Sequence, residues 1–180
     1  MRRCRGISAS MKKTVKIRSH LPALQRHSFG LFIFCIAICF FAAGIGSLFT
    51  TQSISNWYAY LNKPFFNPPN WLFGPVWTVL YALMGYSLYL VLGSKVQKHT
   101  RQAVILFALQ LILNMLWSIV FFGLHFPGMA LLVIVCLWIA ILHTMRSFVC
   151  ISKAASYLLL PYLLWVSFAT ILNGAIVLLN

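Results

Sequence analysis

The sequence predicts an all-α integral membrane protein, a bundle of five transmembrane helices. Of its 180 residues, 62% are hydrophobic and only 8% are charged, whereas a soluble domain carries about 25% charged residues. The mean hydropathy is +0.91. Five apolar segments each have roughly the 20 residues that a helix needs to cross a bilayer. Lipid is therefore the expected solvent for most of the chain.

Turn signals separate the five apolar segments. The segments run over residues 29–50, 71–92, 103–123, 128–150 and 154–179. Asn67-Pro68-Pro69-Asn70 opens the second segment, because Pro and Asn favour turns and helix starts. His125-Phe126-Pro127-Gly128 separates the third from the fourth. Pro161 lies inside the fifth segment, where a membrane helix tolerates a kink.

The amino-terminal residues 1–28 are basic and contain no acidic residue. We expect them to form a disordered cytoplasmic tail ahead of the five-helix domain, residues 29–180. Two alternatives stay open: translation starts at Met11, or the segment directs the chain to an organelle. The first apolar segment is too long for the h-region of a signal peptide, about 7–15 residues, and counts as a span.

The placement of charge argues against nucleic-acid binding and predicts an orientation. Fourteen Lys and Arg residues stand against no Asp or Glu, and eight of them precede residue 27. A nucleic-acid-binding protein would instead collect its positive charge on one folded face. With the amino terminus in the cytoplasm, 13 of the 14 basic residues lie inside and only Lys63 lies outside. We therefore predict a cytoplasmic amino terminus and an external carboxyl terminus.

The composition excludes several kinds of site. Paired-carboxylate acid–base sites, Ser-His-Asp triads and carboxylate cages for calcium or magnesium all need Asp or Glu. Cys35 and Cys39, one helical turn apart, could form half of a metal site, but small apolar residues of a membrane helix are the simpler interpretation. His125 and His143 should lie at opposite ends of the bundle, as interfacial polar residues. We predict no metal site and no cofactor.

The connection at residues 51–70 is unusually aromatic. It contains Trp57, Tyr58, Tyr60, Phe65 and Phe66. Such residues either form an interfacial aromatic belt or fold as a lid over the end of the bundle. The sequence pattern alone does not choose between the two.

Polar and aromatic residues also recur at helical spacing within three spans. The stripes are Trp77, Tyr81 and Gly85 in the second span, Gln110, Asn114, Trp117 and Phe121 in the third, and Tyr162, Trp165, Ala169 and Asn173 in the fifth. Because polar side chains are costly in lipid, these faces should turn inward. They either enclose a pocket for a flat apolar molecule or simply hold the helices together.

Five runs of residues carry a family resemblance. They are WYAYLNKP at 57–64, NPPNW at 67–71, FGPVWT at 73–78, QLILNMLWS at 110–118 and LPYLLWVSFAT at 160–170. Together they resemble the translocator-protein family, which includes the tryptophan-rich sensory proteins and the peripheral benzodiazepine receptor. The resemblance covers roughly residues 30–180 and is greater to bacterial members. It therefore implies a multi-pass protein of the bacterial cell (inner) membrane.

The resemblance implies a fold, a set of ligands and a set of site residues. It implies five transmembrane helices, often in a homodimer, with a pocket under a lid formed by residues 51–70. The implied ligands are protoporphyrin IX, haem-like tetrapyrroles and benzodiazepine-type drugs. The family's pocket positions fall on Tyr58, Pro68, Trp77, Asn114, Trp117, Trp165 and Ala169. The cholesterol-recognition pattern of mitochondrial members is absent after Asn173.

Three functions remain as hypotheses. The preferred one is a membrane receptor or sensor that binds tetrapyrroles and regulates their metabolism or a stress response; Trp165→Phe and Asn114→Ala should then weaken binding. The second is an enzyme that degrades porphyrin in light, for which the resemblance implies Trp77 and Trp165. The third is a facilitator of tetrapyrrole or lipid transport, without an intramembrane carboxylate for ion coupling.

Overall fold

The computed structural model describes residues 28–94 and 96–180. The predicted tail therefore lies outside the described residues, apart from Ser28. Within the described ranges, five helical segments are long and apolar enough to cross a membrane: Phe29–Ile54, Asn70–Leu92, His99–Gly123, Pro127–Val149 and Lys153–Leu179. The predicted fold class is confirmed.

The described residues form seven α-helices, and all but the second belong to the five segments. They are α1 (Phe29–Ile54), α2 (Trp57–Tyr60), α3 (Asn70–Leu92), α4 (Gln97–Ser118), α5 (Pro127–Val149), α6 (Lys153–Leu158) and α7 (Leu160–Leu179). A π-helical turn, Ile119–Gly123, completes the third segment. Helix α1 packs against α3 and α4, and α5 packs against α4 and α7. Two short helices, α2 and α6, interrupt the pattern of long spans.

Helix α1 continues to Ile54, four residues past the end expected from hydropathy. Its last turns contain hydroxyl residues, which lower the hydropathy without ending the helix. Thr50 donates its hydroxyl hydrogen to the Gly46 carbonyl at 3.0 Å, and Thr51 donates to the Ser47 carbonyl at 2.8 Å. Hydroxyls that are satisfied by their own helix allow it to continue.

The fifth span is broken near its start. Helix α6 ends at Leu158 and α7 begins at Leu160. Pro161 occupies the first turn of α7, where its missing N–H costs nothing. The Ser87 hydroxyl of α3 donates to the Ala155 carbonyl at 2.6 Å and fixes α6 against the bundle.

Helices α1 and α3 approach each other closely at Gly85. A Cβ atom at this position would lie 2.7 Å from the Ile36 Cδ1 atom and 3.0 Å from the Ile36 Cα atom. In the same half of α1, the Phe32 ring packs edge-on against Tyr89 with centroids 5.5 Å apart. Only glycine permits this approach, so Gly85 fixes where the two helices cross.

The α1–α3 connection, residues 55–69, is fastened at several points. The Trp57 ring stacks on His125, in the turn after α4, with centroids 4.4 Å apart. The Asn62 backbone N–H donates to Asn180 Oδ1 at 2.9 Å, and Asn180 Nδ2 donates back to the Asn62 carbonyl at 3.0 Å. Phe66 packs edge-on against Phe168 of α7. The connection thus lies across the ends of α4 and α7.

Tyr58 and Lys63 hold the connection together internally. The buried Tyr58 hydroxyl donates to Asn67 Oδ1 at 2.6 Å. Burial raises the pKa of Tyr58 to about 12, so the phenol stays protonated and remains a donor at neutral pH. The Lys63 ammonium donates to the Tyr58 and Ala59 carbonyls at 2.8 and 2.9 Å and lies 5.0 Å from the Tyr58 ring centroid.

Candidate ligand cavity

A cavity of about 580 Å³ lies between α1, α3 and α4. Its volume is within the range of about 300–1,000 Å³ that is usual for small-molecule sites. The lining residues are Phe40, Ala43, Gly44, Gly46, Ser47, Thr50, Thr51 and Ile54 on α1, Asn70, Trp71, Phe73, Gly74, Trp77, Thr78 and Tyr81 on α3, Asn114, Trp117 and Ser118 on α4, and Phe122 in the π-helical turn after it. None of these lining residues is charged.

Aromatic rings form the walls of the cavity. Trp77 of α3 packs against Tyr81, with ring centroids 5.7 Å apart. Trp117 of α4 is 7% exposed, and its indole Nε1–H donates to Asn173 Oδ1 at 3.1 Å. Asn173 in turn donates to the Pro127 carbonyl at 2.9 Å, so α4, α5 and α7 together hold this indole in place.

Asn114 is the polar group at the deep end of the cavity. Its side chain is 1% exposed. Asn114 Oδ1 accepts a hydrogen bond from the Tyr81 hydroxyl at 2.9 Å, and Nδ2 donates to the Tyr162 hydroxyl at 2.8 Å. A primary amide can donate twice and accept twice. Asn114 therefore joins α3, α4 and α7. It can still donate one further hydrogen bond and accept one further hydrogen bond.

Helix α1 contributes hydroxyls that are already used as donors. The Ser47 hydroxyl donates to the Gly44 carbonyl at 2.8 Å. Thr50 and Thr51 make the equivalent bonds described above, and Thr78 of α3 donates to the Gly74 carbonyl at 2.9 Å. Their oxygens can still accept a hydrogen bond from a ligand, so this wall offers acceptors.

Of the seven expected pocket positions, three line the cavity and four do not. Trp77, Asn114 and Trp117 line the cavity. The other four do not: Pro68 and the buried Tyr58 belong to the α1–α3 connection, and Trp165 and Ala169 belong to α7. A role for these four in ligand binding stays a prediction.

Trp165 lines a different, apolar groove between α3 and α7. Pro75, Val76 and Val79 of α3 and Pro161 and Phe168 are among its walls. The Trp165 ring contacts Phe73, with centroids 6.1 Å apart, and Phe73 lines the cavity. Within the described part of the chain, the buried Trp165 Nε1 has no hydrogen-bond partner. Trp165 thus reaches the cavity only through another ring.

The sequence reasoning missed the contribution of α1. Its lining residues include Phe40, Gly44, Ser47 and Thr51, which recur at spacings of 4, 3 and 4. Small and hydroxyl residues at helical spacing in an otherwise apolar span were the available signal.

The histidines and cysteines of the described residues lie apart from one another or in pairs. Across residues 28–94 and 96–180, no group of three His, Cys, Asp or Glu side chains comes together. His125 Nε2 lies 3.3 Å from the Ser53 hydroxyl oxygen, and its ring is covered by Trp57. His143 is exposed on α5, and Cys35 and Cys39 are buried as free thiols in α1.

These features define a multi-pass membrane protein of five spanning helices with an uncharged, tryptophan-walled cavity. A sequence profile described as the TspO/MBR family matches residues 35–179, and the chain belongs to this family. It is 50% identical over 147 residues to the Tryptophan-rich protein TspO of Chlorobaculum tepidum, covering 81% of this chain and 93% of that protein.

Further relatives come from an archaeon and from a mammal. The Tryptophan-rich protein TspO of Archaeoglobus fulgidus is 52% identical over 135 residues, which are 75% of this chain and 87% of that protein. The human Translocator protein is 40% identical over 132 residues, which are 72% of this chain and 78% of that protein. The family resemblance expected from the sequence motifs is thereby confirmed.

Proposed function

We propose that the protein is a membrane receptor or sensor that binds a tetrapyrrole, such as protoporphyrin IX or a haem-like molecule, in the cavity between α1, α3 and α4. The observation that carries this proposal is the cavity itself, about 580 Å³ in volume, with Trp77 and Trp117 as walls and Asn114 at its deep end. Indole rings offer flat apolar faces that favour stacking on a flat ligand. One relative is named Tryptophan-rich sensory protein, which supports a sensing role.

The proposed orientation follows from the basic residues at the two ends of the bundle. Lys63 lies in the α1–α3 connection, at one end of the bundle. Arg101 near the start of α4, Arg146 near the end of α5 and Lys153 at the start of α6 lie at the other end. Because cytoplasmic ends carry an excess of Lys and Arg, the connection would face outside. The amino terminus would be cytoplasmic and, from the motif resemblance, the membrane would be that of a bacterial cell.

Trp77→Leu should weaken protoporphyrin IX binding by about five- to thirtyfold, or roughly 1–2 kcal/mol, because a flat ring wall of the cavity is lost. The affinity is measured by titrating purified protein and following the shift of the porphyrin Soret band. Absorbance is preferable to tryptophan quenching, since the substitution removes a fluorophore.

Trp138→Leu is the matched control for Trp77→Leu. Trp138 lies outside the cavity, and its indole N–H donates to the Ser167 hydroxyl at 2.8 Å. Its replacement should leave the affinity unchanged. Equal losses in the two variants would contradict the proposed site.

Trp165→Phe reports on the groove between α3 and α7. A loss of porphyrin affinity as large as that of Trp77→Leu would show that the ligand extends into this groove.

Esterifying both propionates of protoporphyrin IX should not weaken its binding. The cavity has no charged lining residue, and Lys63 already donates to backbone carbonyls. A carboxylate that leaves water without a counter-charge loses solvation energy, so the dimethyl ester should bind as tightly as the free acid or more tightly. Titrations of both porphyrins, corrected for detergent partitioning, test this. A loss of about tenfold or more with the ester would reveal a cationic contact.

A further inference from the structure

The cavity is open on one side, between α1 and α3. The lining residues of these two helices that are exposed are Phe40, Gly44, Ser47 and Thr51 on α1 and Asn70, Trp71, Gly74 and Thr78 on α3. The lining residues of α4 are buried or half-buried: Asn114, Trp117 and Ser118. Exposure therefore marks a gap between α1 and α3 and a closed wall at α4.

The gap extends far along both spanning helices. Phe40 and Thr51 are eleven residues apart on α1, or about 16 Å along a helix that rises about 1.5 Å per residue. Asn70 and Thr78 are eight residues apart on α3, or about 12 Å. A hydrocarbon core is about 30 Å thick, so the gap opens toward lipid over roughly half of it. The contact at Gly85 closes the gap at its deeper end.

The end of the bundle is more firmly closed than its side. The α1–α3 connection is joined to Asn180 by two hydrogen bonds and to His125 by ring stacking. No residue between 55 and 69 lines the cavity. A ligand that arrived past this connection would have to break those contacts, whereas one that arrived from the side would not.

Each rim of the gap contains a glycine and at least one hydroxyl residue whose donor is satisfied. A Cβ atom added at Gly44 or at Gly74 would meet nothing within 4 Å. The exposed hydroxyls of Ser47, Thr51 and Thr78 all donate to carbonyls of their own helices. Their donors are therefore satisfied in hydrocarbon, and a flat apolar molecule can pass without displacing protein hydrogen bonds.

We propose that the cavity is loaded sideways from the bilayer through the gap between α1 and α3, and that Gly44 and Gly74 set the width of this gap. The inference rests on the proposed function and adds the route of the ligand. It also selects the ligand: a molecule that partitions into the bilayer reaches the cavity by this route.

Leucine at position 44 or 74 should obstruct the gap without disturbing the fold, because both sites are open. The experiment follows transfer of protoporphyrin IX from loaded phosphatidylcholine vesicles to the protein in nanodiscs by stopped-flow absorbance. In Gly44→Leu and Gly74→Leu, the association rate should fall by about tenfold, and the dissociation rate should fall as well, because both steps pass through the gap. Equilibrium affinity is measured separately by titration, since both glycines also line the cavity. Gly128→Leu is the matched control, since its Cβ also meets nothing within 4 Å and lies away from the cavity.

Association in Gly44→Leu and Gly74→Leu as fast as in Gly128→Leu would overturn the lateral route. Asn180→Ala provides an independent check, because it removes the two hydrogen bonds between the Asn180 side chain and the α1–α3 connection. Its rates should match the wild type, and faster loading would point to the end of the bundle instead. Thermal melting verifies that each variant is folded. If Gly74→Leu unfolds, Thr78→Leu replaces it, because Thr78 lies on the same rim of the gap. Absence of porphyrin binding in the wild type would instead reject the proposed function.

Discussion

Replacing Gly85 by Ala should lower the free energy of unfolding by about 1–3 kcal/mol, although Ala is favoured over Gly inside a helix by about 1 kcal/mol. The added Cβ would lie 3.0 Å from the Ile36 Cα atom and 3.1 Å from the Cys35 carbonyl oxygen. A side chain can rotate away, but these two are backbone atoms, so α1 and α3 must move apart. Thermal melting of the purified protein in one detergent measures the loss.

Gly44→Ala is the matched control, because Gly44 also lies inside a spanning helix but has nothing within 4 Å of an added Cβ. It should be neutral or gain up to about 1 kcal/mol. The two Gly→Ala variants should thus differ by about 1–4 kcal/mol. Similar melting temperatures would mean that the helices do not cross closely at Gly85. Wider separation at Gly85 should also alter the cavity, since the same crossing forms its closed end.

The spans could be predicted because hydropathy is a local property of the sequence. Likewise, the stripe in the third span could be predicted from spacing, and Gln110, Asn114, Trp117 and Phe121 are all buried. The partners of these residues could not be predicted in this way. Asn114 joins two tyrosines, whereas the buried Gln110 amide has no hydrogen-bond partner within residues 28–94 and 96–180. Such pairings depend on how neighbouring helices are rotated and shifted.

The stripe in the fifth span shows the limit of spacing arguments. At about 100° per residue, Ala169 and Asn173 lie within about 20° of Tyr162 around the helix, but Trp165 lies about 60° away. The first three are buried, whereas Trp165 is half-buried at the edge of that face and borders the groove between α3 and α7. An i+3 position therefore shares a face only approximately, and a wide indole there can contact a different neighbour.

The cavity itself could not be predicted from any single helix. It exists because α1 and α3 cross at Gly85 and leave space between their other halves. On α1 the contrast is weak, because small residues such as Gly44 and Ser47 interrupt an otherwise apolar segment only slightly. Close approach of two backbones is a tertiary property, since it depends on both helices at once. Hydropathy consequently predicts where α1 runs but not which of its faces borders a cavity.

Asn114→Leu should destabilise the protein by about 2 kcal/mol or more, since it leaves the buried Tyr81 and Tyr162 hydroxyls without their amide partner while keeping a similar volume. A double-mutant cycle measures the coupling. In a Tyr81→Phe/Tyr162→Phe background the same substitution should cost at least about 1 kcal/mol less, because no hydroxyl is left unpaired. Thermal or denaturant unfolding in detergent provides the free energies.

Thr144→Val is the matched control for Asn114→Leu. Thr144 is fully buried, but its hydroxyl donates only to the Ala140 carbonyl of its own helix, at 2.8 Å. Its loss should cost less than about 1 kcal/mol. An Asn114→Leu cost that is the same in both backgrounds would contradict the role of Asn114 as a link between α3, α4 and α7. Tyr81 lines the same cavity as Asn114. If the two side chains are coupled, an Asn114 substitution also displaces Tyr81, and this displacement contributes to any loss of porphyrin binding. The Tyr81→Phe/Tyr162→Phe background then separates direct ligand contact from that displacement.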